Sequence, residues 1–180
     1  MMEKALTRPL LVDARIESAL GIALFTLLTA LGAFVRIPLP FTPVPVTLQV
    51  FFVLLSALML GRKAAISQSL YLALGAAGLP VFTGAGAGLA HLLGPTGGYL
   101  FGFVAASYAM GCIARRYRNP ADTVLALVLG VAVIYLCGTL QLGLLLHLSP
   151  WRAMQLGALP FLAGDLLKAA AVLALVRAKR

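Results

Sequence analysis

Charge is scarce in this sequence. Of its 180 residues 11% are charged, and only five are acidic. Soluble domains carry about 25% charged residues. With 62% of the chain hydrophobic, the apolar side chains exceed what a soluble core of this size could hide. Lipid must be part of the solvent. Cysteine is nearly absent as well. Cys112 and Cys137 both fall inside apolar runs, which points to neither a disulfide framework nor a zinc site.

Other absences remove whole classes of function. No G-x-x-x-x-G-K-[ST] occurs, and no lysine is followed by Ser or Thr. The glycine-rich stretch at 84–98 carries no lysine, so it is no phosphate cradle. His91 and His147 have no neighbouring ligands at metal spacing, so no metal site is expected. No nucleophile stands beside a base, so neither an enzyme nor a cofactor is expected. The net charge of +9 does not indicate nucleic acid, because the basic residues flank apolar runs and form no stripe beside stacking aromatics. No signal peptide is expected, since Glu3, Asp13 and Glu17 precede the first apolar stretch.

What is present is an all-α integral membrane protein. A span needs about 20 mostly apolar residues, and the hydropathy pattern predicts six, over 18–35, 46–61, 64–79, 98–114, 123–147 and 159–176. The second and third are short and are separated by Gly61-Arg62-Lys63. The basic residues orient them. With both termini in the cytoplasm, that side holds Lys4, Arg8, Arg15, Arg62, Lys63, Arg115, Arg116, Arg118, Arg177, Lys179 and Arg180, and the other side holds only Arg36 and Arg152. The chain, 1–180, is expected to be one transmembrane domain in a cell membrane.

Two irregular segments fall on the outer side. "RIPLPFTPVPVT", 36–47, has four prolines, which lack amide donors and bias their neighbours away from helix. It predicts an extended, stiff strap. The loop 80–98 is rich in glycine. Irregular backbone of this kind must lie outside the hydrocarbon or line a cavity made by protein.

The last span, "PFLAGDLLKAAAVLALV", contains Asp165 and Lys168. At i and i+3 they share one helix face. Entering from outside at Pro160, Asp165 lies about 7–8 Å in and Lys168 about 12 Å. An ionisable residue at the centre of a span costs about 2.5–3.5 kcal/mol, less at this depth. Two readings stand: a pair that only neutralises itself, or a polar ligand site facing the bundle interior. Gln49 and Tyr99 fall at a similar level, and Tyr71 somewhat deeper. Each alone suits an interhelical hydrogen bond, but together they suggest a pocket open to the outside. Phe41, Phe82 and Phe161 could wall it, and Thr42 places the strap beside it. In the first span Ala19, Ala23, Thr26, Ala30 and Ala33 form a small-residue face. Such a face suits close helix association in lipid, either within the bundle or with a separate membrane protein.

"PFTPVPVTLQ" at 40–49, "GLPVFTG" at 78–84, "GPTGGYLFGF" at 94–103 and "PFLAGDLLKA" at 160–169 together resemble the BioY biotin transporters, the substrate-binding S components of energy-coupling factor (ECF) transporters. The resemblance covers nearly the whole chain. It implies six helices, a biotin pocket near the outer face, and a loop between the first two helices covering it. It implies a transmembrane coupling protein, met by an Ala-x-x-x-Ala element matching Ala19 and Ala23, and a pair of cytoplasmic ATPases. It places Asp165 and Lys168 at the biotin head group. The Asn or Arg groups that some relatives use in helices three and four have no counterpart, since no Arg lies between Arg62 and Arg115 and no Asn precedes Asn119. Backbone amides of Gly97 and Gly98 could take their place. The expected function is ATP-driven uptake of biotin captured outside the cell. The rival is a proton-coupled carrier of a small carboxylated substrate, with Asp165 as the proton site.

Overall fold

The structure, a computed structural model, describes residues 3–113 and 120–178, with side chains over 14–113 and 121–178. Arg115, Arg116, Arg118, Lys179 and Arg180, which enter the charge bias, lie outside the described residues. The elements in chain order are α1 (Glu3–Phe34), β1 (Arg36–Ile37), β2 (Val46–Thr47), α2 (Gln49–Leu60), α3 (Ala64–Ala76), α4 (Gly88–Leu92), α5 (Gly97–Ile113), α6 (Pro120–Leu145), α7 (Pro150–Gly157) and α8 (Leu162–Ala178). The protein is mainly helical. Four helical stretches, 14–34, 49–76, 121–145 and 150–178, are long and apolar enough to cross a membrane, and α5 is a shorter apolar helix.

The stretch 49–76 is not straight. Unbroken, it would hold Gln49 and Tyr71 about 33 Å apart. Instead Gln49 Nε2 donates to Tyr71 Oη at 2.7 Å, and Gln68 Nε2 reaches Ser56 Oγ at 3.4 Å. So α2 and α3 fold back on each other at Gly61-Arg62-Lys63. Gly61 takes a φ of +58° there, a conformation a side chain would resist. Beside that turn lie the middle of α1, where Lys63 Nζ donates to Ser18 Oγ at 2.5 Å, and Gly111 near the end of α5. This is the turn end of the bundle.

At the opposite end the proline segment is not a free strap. Its two ends pair as an antiparallel ribbon, with Arg36 opposite Thr47 and Ile37 opposite Val46. Leu48 N–H then ties the ribbon to Gly32 O and Val35 O of α1. Val44 and Thr42 are buried. The long loop is less irregular than its glycines imply, since α4 forms within it and α5 begins at Gly97. The chain between α6 and α8 also holds a separate short helix, α7. It starts at Pro150, a position where proline's missing N–H costs nothing, and Ser149 Oγ caps it by accepting from Arg152 N–H at 3.4 Å.

Glycines set how closely α5 and α6 approach. A Cβ on Gly98 would collide with Cys137 O, and one on Gly102 would press on Ile134. Gly138 leaves the slot in which the Tyr99 ring lies. Forcing atoms into such a contact costs about 1–3 kcal/mol. Gly98→Val is therefore expected to lower the thermal unfolding midpoint in detergent. Gly164→Ala, in open space on α8, is expected to leave it unchanged. Equal midpoints for the two variants would show that the α5–α6 contact is not tight.

Candidate binding site

At the strap end of the bundle lies a partly open cavity of about 50 Å³. Its roof is the ribbon, contributing Val44, Pro45, Val46 and Thr47. Its walls come from α2 (Gln49, Val50), α5 (Tyr99, Leu100, Phe103), α6 (Ile134, Tyr135) and the start of α8 with the turn before it (Phe161, Asp165, Lys168). Thr83 and Thr96 close it from the loop side. By the measure that one water takes about 10–15 Å³, this form has room for only about four waters.

The polar centre is a three-residue cluster. Lys168 Nζ donates to Asp165 Oδ1 at 2.6 Å, and Tyr135 Oη donates to Asp165 Oδ2 at 2.7 Å. Asp165 is 3% exposed, so a lone carboxylate there would be costly to desolvate; the ammonium and the phenol offset that cost. The cluster carries no net charge, yet its capacity is not used up. Lys168 has further N–H donors, each carboxylate oxygen has another lone pair, and Tyr135 Oη can still accept.

A second set of polar groups faces it. Gln49 is buried, donates to Tyr71 Oη, and accepts at Oε1 from Thr83 Oγ1 at 3.3 Å. Tyr71 Oη donates onward to Val81 O at 3.1 Å. That chain of bonds ties the loop after α3 to the cavity wall. Tyr99 Oη donates to Gly157 O at 2.7 Å, which fixes the ring across α6 and joins α7 to the site. Such a site is a neutral array of donors and acceptors in an apolar enclosure. It suits a compact, uncharged head group with both N–H and C=O edges. An anion in its centre would compete with Asp165 for Lys168 and leave a carboxylate unpaired.

The model of the BioY family matches residues 2–180. The chain belongs to the BioY family. It is 43% identical to the biotin transporter BioY of Thermotoga maritima over 146 residues, 81% of this chain and 85% of that protein. It is 34% identical to the biotin transporter BioY of Rhizobium etli over 167 residues, 87% of this chain and 89% of that one. Among solved structures, the S-component for biotin from an ECF-type ABC transporter superposes with a TM-score of 0.86 at 27% identity, covering 93% of both chains. These relatives are transporters, not enzymes, and this BioY-family chain is a multi-pass membrane protein.

Within it, the residues singled out from sequence fall into three groups. Asp165, Lys168, Gln49 and Tyr99 lie on the wall of one cavity, together with Phe161. Tyr71 and Phe82 stand behind that wall. Both are fully buried, their rings meet edge to face with centroids 5.5 Å apart, and Gly75 makes room for the Phe82 ring. Thr42 lines a neighbouring chamber on the outer side of the ribbon, and Phe41 is exposed. Gly97 and Gly98 are not on the cavity wall. They are buried against Leu92 O and Cys137 O, and the Gly97 amide already donates to Gly94 O at 3.1 Å. Their smallness serves packing.

Tyr135 escaped the sequence reading, although a phenol in the interior of "VAVIYLCG" had no reason to be at an interface. Gln141 did too. Its Nε2 donates to Leu92 O and Gly94 O, at 2.8 and 2.7 Å, pinning the loop just before α5. The small face of α1 divides. Ala30, Ala33 and Thr26 are buried, with Thr26 Oγ1 donating to Ser67 O at 3.0 Å, whereas Ala19 and Ala23 are exposed.

Proposed function

We propose that this protein is the biotin-capturing S component of an ATP-driven ECF importer. The neutral Asp165–Lys168–Tyr135 cluster inside a roofed cavity carries the reading, and the biotin transporters among its relatives support it. Biotin's ureido ring is a compact neutral head with N–H donors on either side of a carbonyl. Asp165 accepts from an N–H, Lys168 donates to the carbonyl, and Gln49 and Tyr99 orient the remaining edge. No covalent chemistry is required.

Six spans cross the membrane: α1, α2, α3, α5, α6 and α8. Both termini are cytoplasmic and the strap end faces outward, as the basic residues at the turn end favour. At 12 and 13 residues, α2 and α3 cover only about 18–20 Å, well short of a hydrocarbon core of about 30 Å. The ribbon and the loop after α3 occupy the depth above them, which is why a cavity forms there.

In this reading the ribbon is a lid. In this form the cavity is too small for biotin, so binding requires the segment 38–45 to lift and re-seat. Biotin is expected to slow labelling of a Thr42→Cys protein, its native cysteines replaced, by a water-soluble thiol reagent. Equal rates with and without biotin would count against a lid.

The energy source is tested by uptake. Labelled biotin should enter cells after the proton gradient is collapsed and stop when ATP is depleted. The reverse pattern would favour the proton-coupled rival.

A further inference from the structure

The cavity that suits a neutral head has no room for the rest of an acid. Beside it, on the other side of Pro45, Thr83 and Thr96, lies an open chamber of about 380 Å³. These three residues line both spaces. The chamber is polar at its rim. Arg36 lines it with its guanidinium over Gly84, and Thr42 and His91 line it too. His91 stacks on Phe82 with ring centroids 5.0 Å apart, and its Nε2 lies 3.4 Å from Thr96 Oγ1. Burial lowers its pKa, so at neutral pH it offers hydrogen bonds and not charge.

Among the described residues Arg36 is a cation without a counter-charge. The chain has five acids. Asp165 is held by Lys168 and Tyr135, and Glu3, Asp13, Glu17 and Asp122 belong to the first half of α1 and the start of α6, toward the turn end. Among the described residues no carboxylate reaches Arg36. Its backbone is also fixed, because it pairs with Thr47 in the ribbon. A guanidinium is always charged and presents a fork of donors matched to a carboxylate.

We propose that Arg36 is the specificity residue for the acid group of the ligand. It holds the carboxylate of an extended tail in the outer chamber while the head occupies the neutral cavity. The ribbon then reads both ends of one molecule, its inner face on the head and Arg36 on the charge, which ties lid closure to an intact acid. This rests on the reading of the inner cavity as the site of biotin's head.

The test compares biotin with biotinamide, its uncharged amide, in equilibrium binding to purified protein. Wild type is expected to prefer the acid at least tenfold. Arg36→Gln should lose about that factor for biotin while binding biotinamide as wild type does, and Arg36→Lys should restore part of it. Several results would overturn the proposal: a wild-type protein that binds both ligands equally, an Arg36→Gln protein that keeps the wild-type preference, or one that weakens both ligands alike. A wild type that binds neither ligand would overturn the reading of the inner cavity as well, so the two failures are distinguishable.

Discussion

Asp165→Asn is expected to weaken biotin binding at least tenfold. The substitution keeps the shape of the side chain and replaces one carboxylate oxygen by an NH₂ group. With its NH₂ toward Lys168, a donor faces a donor; turned the other way, the NH₂ can donate to the Tyr135 hydroxyl, but the ammonium then meets a neutral amide oxygen in place of a carboxylate. Lys168 is also left as a half-buried cation without its counter-charge. A hydrogen bond to a charged group contributes about 1.5–3 kcal/mol, and about 1.4 kcal/mol is tenfold in affinity. Tyr135→Phe removes one donor and keeps the ion pair, so its effect should be smaller, on the order of 0.5–1.5 kcal/mol. Dissociation constants for the two variants, measured on protein whose thermal midpoint is unchanged, check the order. Unchanged affinity in Asp165→Asn would remove Asp165 from the site.

Ala23→Trp is expected to abolish ATP-dependent biotin uptake while leaving biotin binding near the wild-type value. Ala19 and Ala23 are exposed on a face of α1 shared with Ile16, Leu20 and Leu27, all more than half exposed. That face is far along α1 from Gly32, the residue tied to the ribbon. In lipid there is no hydrophobic force to bring helices together, so close backbone approach past small side chains carries much of the association. An indole there would hold a partner helix away. A tryptophan at Leu136, exposed on α6, serves as the control and should transport normally. Co-purification with a coupling protein reports the contact directly. Normal uptake by Ala23→Trp would place the docking face elsewhere, and loss of binding would mean that α1 packs differently.

Legibility from sequence tracked length and apolar periodicity. The long helices declare themselves because a span must be apolar over about 20 residues, and the predicted 123–147 and 159–176 lie within three residues of α6 and α8 at each end. α2 and α3 were separable because Gly61-Arg62-Lys63 puts charge between two apolar runs. α7 was not legible. Eight residues of mixed polarity carry too little pattern to stand apart from a loop, and its contacts with Tyr99 and with α6 give it a place. The ribbon was hidden for another reason. Four prolines argue against a ladder, but they fall between the two paired ends and leave Arg36, Ile37, Val46 and Thr47 free to bond.

The same contrast holds at the site. Depth along a helix is computable from residue number, so Asp165, Gln49 and Tyr99 could be set at one level. Depth says nothing about azimuth. Which face of α6 turns inward depends on packing against α5, where Gly98, Gly102 and Gly138 set the distance, and Tyr135 follows from that contact. Gly97 and Gly98 show the converse. A glycine pair beside a pocket looks like an exposed amide cradle, and here it is space made for Leu92 and Cys137.

The most direct measurement is a binding isotherm of labelled biotin on the purified protein in detergent, without any partner subunit. A capturing subunit built around the Asp165–Lys168–Tyr135 cluster should bind biotin saturably, with one site per chain, and excess unlabelled biotin should displace the label. A protein that is folded by its thermal transition yet shows no saturable biotin binding would contradict the account.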